Sequence, residues 1–97
     1  MKARLIYHVK ELTEAGDIIE IKIWQVPKSN DKPHGVKYSL AYIRGGKRVV
    51  GYDNAEGKGD HKHVGSSEIS YEFKNVDQLF ADFYRDIKRL RGENHES

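Results

Sequence analysis

The feature that most limits what this chain can fold into is a change of hydrophobic period along it. Apolar residues recur at every second position through three N-terminal runs. From Val76 onward they recur at every third or fourth. Leu5, Tyr7 and Val9 share one side of the run Ala3 to Leu12, and Ile19, Ile21 and Ile23 share one side of Asp17 to Val26. Thr13 to Asp17 reads as the turn between them, giving a first hairpin. Pro27 to His34 holds two prolines, Ser29, Asn30 and Asp31, which break strands and form an exposed connection. Val36, Tyr38, Leu40 and Tyr42 alternate through Gly35 to Ile43, and Gly45-Gly46 turns the chain into Lys47 to Tyr52, a second hairpin. Asn54 to Asp60 reads as a loop, and Ser67 to Phe73 as one further short strand.

Val76, Leu79, Phe80, Phe83, Ile87 and Leu90 form one helical stripe, which predicts a helix over Val76 to Arg91. Asn75 with Gln78 resembles a capping box, Asp77 suits the positive end, Arg89 and Arg91 suit the negative end, and Gly92 is the expected stop. Strands first and one helix last predict an α+β fold. Its antiparallel sheet of four to five strands, built from two hairpins, carries the C-terminal helix on one face. Residues 1–97 are expected to form a single domain, the size for one core. The chain has no cysteine, which excludes disulfides, a thiol nucleophile and a thiolate zinc site, and fits a reducing cytoplasm. No apolar run reaches the roughly 18 residues of a membrane span, so neither secretion nor a membrane partner is expected. The edge strands of such a sheet leave a homodimer open.

The net charge of +2 is concentrated in one segment. Between Arg44 and Gly65 the basic residues Arg44, Lys47, Arg48, Lys58 and Lys62 face the acidic Asp53, Glu56 and Asp60, while the remainder of the chain is balanced. The same segment carries His61, His63 and a series of glycines. In extended chain, His61 and His63 project from one face and Lys62 from the other, so two imidazoles converge on one ligand. Imidazole is poised for proton transfer near neutrality, and a pair can divide the work of base and acid. The candidate catalytic set is therefore His61, His63, Asp60 and Lys58, with Asp53 or Asp60 orienting an imidazole. Candidates for holding phosphate or nucleic acid are Arg48, Lys58, Lys62, Gly57, Gly59, Tyr52, Asp53 and Asn54, the glycine amides forming an anion nest. These are the parts needed to cleave RNA with no metal or other cofactor. Two alternatives remain: a binding module using the same basic loop, and a metal-dependent phosphodiesterase. In the latter, His61 and His63 supply two ligands and Asp60, Asp53 or His34 a third.

Other residues have blander readings. His8 is a surface or partly paired histidine, and Tyr38, Tyr42 and Tyr52 fill the core or stack on bases. Trp24 points away from the isoleucines, as an exposed aromatic, a dimer contact or the sign of a sheet covered on both faces. Arg85, Lys88, Arg89 and Arg91 read as a solvated helix face, an extension of a nucleic-acid track or a surface for an acidic partner.

The run Gly51-Tyr52-Asp53-Asn54 through Gly57-Lys58-Gly59-Asp60-His61, with His63, resembles the signature of the TumE-type toxin family of prokaryotic toxin–antitoxin modules. Ile23-Trp24-Gln25-Val26-Pro27, Pro33-His34-Gly35-Val36-Lys37-Tyr38 and Leu79-Phe80-Ala81-Asp82-Phe83 extend the likeness over nearly the whole chain. The resemblance implies a small cytoplasmic toxin neutralised by a partner antitoxin, often a DNA-binding helix-turn-helix protein. It transfers no settled catalytic residues, and ribonuclease activity follows only by analogy with other small toxins. The strand-first order also differs from the helix-first arrangement of RelE-like ribonucleases.

Overall fold

The computed structural model describes residues 3–30, 32–54 and 59–95. Six strands form one sheet in chain order: β1 (Arg4–Leu12), β2 (Ile18–Gln25), β3 (Val36–Arg44), β4 (Lys47–Asp53), β5 (His61–Val64) and β6 (Ser67–Ser70). Every neighbouring pair is antiparallel, so the sheet is an up-and-down meander. The helix α1 (Val76–His95) follows. The α+β architecture with a C-terminal helix on one face stands, and the strand number is corrected from four or five to six. The additional strand is β5. Its four residues, His-Lys-His-Val, are too few and too polar to give an alternation signal, and it is held by pairing with both β4 and β6.

Alternation assigns the two faces. Ile19, Ile21 and Ile23 of β2, Tyr38, Leu40 and Tyr42 of β3, and Val50 and Tyr52 of β4 are buried together with Leu79, Phe83 and Ile87 of α1. Each such side chain, fully buried, stabilises the fold by about 1.5–3 kcal/mol. The core tyrosines settle the choice left open for them: they fill the interior and do not present faces for base stacking. Each hydroxyl donates to a carboxylate: Tyr38 to Asp60 at 2.7 Å, Tyr42 to Asp17 at 2.5 Å, and Tyr52 to Asp86. Half-buried Tyr71 does the same to Asp82 at 2.5 Å. A phenol buried without a partner costs free energy, and these carboxylates remove that cost while tying turns and helix to the sheet.

Two further expectations are corrected at the ends of the fold. The apolar side of β1 is not fully buried: Leu5 is 49% exposed and Tyr7 42%, and Val9 is half-buried. The helix lies over the middle of the sheet, against β4, leaving β1 at the edge, where an irregularity between Leu5 and Tyr7 shifts its register. Tyr7 still reaches the Phe80 ring, 5.4 Å between centroids. At the other end, Gly92 does not stop the helix, which continues to His95. A glycine in an exposed helical turn costs only about 1 kcal/mol relative to alanine, too little to end a helix by itself. The N-terminal cap is present, with Asn75 Oδ1 accepting from the Gln78 amide at 2.7 Å. The Gln78 side chain does not complete the box, because it donates to Asp82 at 2.8 Å. No helix among the described residues is long and apolar enough to cross a membrane.

Candidate active site

The helix covers one face of the sheet, and β4 and β5 carry a polar cluster on the other. Antiparallel register sets Asp53 opposite His61 and Gly51 opposite His63, while Tyr52 and Lys62 face the helix between them. Directly opposed residues on paired strands bring their Cβ atoms to about 4.5–5.5 Å, close enough for short side chains to touch. His61 Nε2 lies 2.9 Å from Asp53 Oδ1. The His61 and His63 rings meet edge to face, 5.1 Å between centroids at 81°. The inference that these histidines share a face, with Lys62 opposite, therefore holds.

His61 is nearly enclosed, its side chain 8% exposed. Its Nδ1 lies 3.1 Å from the Gly59 carbonyl, which can only accept, so Nδ1 carries a proton. The Gly59 backbone has φ of +72°, a left-handed conformation that glycine adopts without steric cost. The glycine thus contributes its carbonyl to the site, where an amide donor was expected. The other ring nitrogen of His61, Nε2, faces the Asp53 carboxylate. Glu68 Oε2 is a second carboxylate oxygen near Nε2, at 3.7 Å. His63 is half-buried, and its ring makes no hydrogen bond to any described residue.

Arg48 completes the cluster. Its side chain lies across Gly51, and its Nη1 is 3.8 Å from Asp53 Oδ2. A Cβ built at Gly51 would sit 2.8 Å from Arg48 Cδ and 2.9 Å from its Nε, so the missing side chain is what allows arginine to cross the strand. His61, His63, Asp53 and Arg48 are thus brought together as expected.

Other candidates are placed elsewhere. Lys62 Nζ is 3.2 Å from Asp86 Oδ2 and 5.5 Å from the Tyr52 ring centre, on the helix side, where no phosphate can reach both it and His61. Tyr52 is fully buried beneath it. Asn54 is buried as a clip, accepting from the Tyr38 amide at 3.0 Å and donating to the Val36 carbonyl at 2.8 Å. Asp60 takes the Tyr38 hydroxyl and lies 3.3 Å from His34 Nε2, so it orients neither His61 nor His63. His34 is itself committed: its Nδ1 accepts from the Val36 amide at 3.3 Å, which leaves Nε2 to donate to Asp60. Gly57 and Lys58 lie outside the described residues.

Sequence reading missed three acidic residues. Glu68 pairs with His63 across the β5–β6 hairpin, a placement that the Gly65-Ser66 turn signals once β5 is accepted as a strand. Asp82 and Asp86 are buried on the helix one turn apart, inside its apolar stripe, and there they meet Tyr71, Tyr52, Lys62 and Arg85. Burial favours the neutral form of Asp82, but hydrogen bonds from Tyr71 and Gln78 and the charge of Arg85 outweigh it and hold the carboxyl below its usual range.

His8, read as a surface histidine, is that, 3.1 Å from Glu20. Trp24 is half-buried on the open face under the ammonium of Lys37, 5.3 Å from its ring centre.

No curated protein and no solved structure matches the chain. The family model described as Toxin TumE matches residues 2–91. The chain belongs to the TumE toxin family.

Proposed function

We propose that this toxin acts by cleaving RNA, with the Asp53–His61–His63 cluster as its acid–base centre and Arg48 as its phosphate cation. The observation that carries the reading is the contrast between the two rings. His61 is fixed between two acceptors, at 3.1 and 2.9 Å, whereas the His63 ring beside it makes no hydrogen bond to a described residue. In this mechanism the His63 ring takes the proton of a ribose 2′-hydroxyl as that oxygen attacks the adjacent phosphorus. The P–O5′ bond breaks, and imidazolium His61 gives its Nε2 proton to the departing oxygen, leaving a 2′,3′-cyclic phosphate and a 5′-hydroxyl. Asp53 positions His61 and stabilises its charged form. Arg48 neutralises charge developing on the phosphoryl oxygens. A partner antitoxin keeps the activity silent.

The test is cleavage of RNA by the purified chain, with and without chelator, beside His61→Ala and His63→Ala and with circular dichroism as a folding control. Cleavage that resists chelator and is lost in both folded variants is the expected result. Cleavage retained in both variants, or absent from the unmutated chain, overturns the assignment.

A further inference from the structure

We infer that Asp53, His61 and His63 also form a binding site for a divalent cation of the zinc class, and that occupancy switches the centre off. Each residue offers one ligand atom, and the three atoms lie within 4.8 Å of one another. Two imidazoles and one carboxylate suit zinc and its late transition-metal neighbours, whereas magnesium and calcium prefer all-oxygen sets.

The geometry around His61 is that of a ligand already aimed. Its Nδ1–H donates to the Gly59 carbonyl, which directs the Nε2 lone pair toward Asp53 once the second proton has left. A hydrogen bond from the non-ligating nitrogen to a carboxylate, backbone carbonyl or water accompanies most metal-bound histidines and fixes their tautomer. The 2.9 Å between His61 Nε2 and Asp53 Oδ1 is close to the spacing of about 3.3 Å between two ligands of one tetrahedral ion at about 2.0–2.1 Å. A few tenths of an ångström of side-chain rotation closes the difference. All three residues stand on paired strands, which holds their backbones at fixed spacing.

Glu68 decides the consequence. Its carboxylate is 3.7 Å from the same Nε2, and its side chain is 54% exposed and free to swing. As a fourth ligand it would close the tetrahedron, and closed four-ligand zinc sites are structural, whereas catalytic ones keep a position open. A bound cation would also occupy the lone pairs of both histidines and so prevent them from exchanging protons. Cation binding stands on the geometry alone; only the loss of cleavage rests on the function proposed above.

The experiment is a titration of the full 97-residue chain with cobalt(II) as spectroscopic probe, followed by displacement with zinc. The expected result is one equivalent bound with the intense visible absorption of tetrahedral cobalt. Affinity should fall at least 100-fold in His61→Ala, in His63→Ala and in Asp53→Asn, and about 10-fold in Glu68→Gln. Should any variant fail to fold, zinc-dependent shifts of the His61 and His63 ring resonances in the unmutated chain decide instead. No tetrahedral spectrum, or a spectrum unchanged when His61 and His63 are both replaced, overturns the inference. Zinc added to a chelator-resistant cleavage reaction should abolish it, and chelator should restore it. Cation binding without any cleavage overturns the proposed function and leaves the site standing. Cleavage in chelator without cobalt binding does the reverse, and stimulation by zinc overturns the inhibitory role.

Discussion

Gly51→Ala is expected to leave the fold intact and disable the site. The added Cβ would lie 2.8 Å from Arg48 Cδ, 2.9 Å from Nε and 3.2 Å from Cζ, whereas carbon contacts are favourable at about 3.5–4.0 Å. Arg48 must retreat by about 1 Å. It can do so cheaply, because its side chain is 45% exposed and the φ of Gly51 is not in the left-handed region. An off-rotamer arginine costs about 0.5–1.5 kcal/mol, while alanine replacing glycine within a strand gains about 0.5–1 kcal/mol. The two nearly cancel, so urea unfolding should move by less than about 1 kcal/mol. The guanidinium, now only 3.8 Å from Asp53, would leave the phosphate position. Losing one charge-assisted hydrogen bond in the transition state, about 1.5–3 kcal/mol, slows cleavage by about 10- to 150-fold. Initial rates for Gly51→Ala, Arg48→Ala and the double variant complete the assay. The two single losses should match, and the double variant should be no slower than either. A full rate in Gly51→Ala, multiplicative losses in the double variant, or destabilisation beyond about 2 kcal/mol would refute the reasoning.

Tyr52→Phe removes the hydroxyl that donates to Asp86 but leaves Lys62 and Arg85 on that carboxylate. It should cost about 1–3 kcal/mol in denaturant unfolding and leave cleavage unchanged. Asn54→Ala strands the Tyr38 amide and the Val36 carbonyl, and should cost about 2–4 kcal/mol by the same measurement. Burial first, and then hydrogen bonds to Asp60, Asp17 and Asp86, push the Tyr38, Tyr42 and Tyr52 hydroxyls above their ordinary value of 10.0. Raised folded values mean that the unfolded chain ionises first. Stability is therefore full below pH 10 and falls above it, at up to about 4 kcal/mol per pH unit for the three together, as an unfolding titration followed by phenolate absorbance would show. Asp82 has the opposite sign: its lowered value gives stability that is present above the ordinary 3.8 and lost as acid carries the pH down through the folded value. Asp82→Asn should flatten that acid limb in the same unfolding measurement.

The period of two exposed β1 to β4, and the period of 3.6 exposed α1, because in these segments burial on one face demands apolar residues at fixed intervals. The same logic misreads β1, whose alternating Leu5, Tyr7 and Val9 imply a cover that a single helix centred on β4 does not extend to. It misses β5 because a strand whose open face carries His61 and His63, and whose inner face carries Lys62, has no apolar pattern to detect. At the site, residue type was legible and partnership was not. Asp60 adjoins His61 in sequence and Asp53 lies eight positions before it, yet pairing sets Asp53 opposite His61 while Asp60 turns to Tyr38. The two helix carboxylates were hidden for a related reason: Asp82 and Asp86 read as solvent-facing until their tyrosine partners are known.

Those carboxylates bear on the site from the far side of the sheet. In β5 a slip of one residue would turn Lys62 to the open face and send His61 and His63 toward the helix. Apolar patterning does not prevent this, since β5 has one apolar residue, Val64. What separates the two registers is charge. Lys62 is only 18% exposed in the observed register and is matched there by Asp86, itself 5% exposed, beneath the Tyr52 hydroxyl. A slip would leave Asp86 with Arg85 and the Tyr52 hydroxyl but take away the charge-assisted hydrogen bond from Lys62, about 1.5–3 kcal/mol. The helix carboxylate thereby selects the face that Lys62 takes, and alternation then assigns His61 and His63 to the other. The proposed acid–base centre is in this sense specified by a residue that never touches it. Asp86, one turn after Asp82 in the helix, sets which side of the sheet the histidine pair occupies.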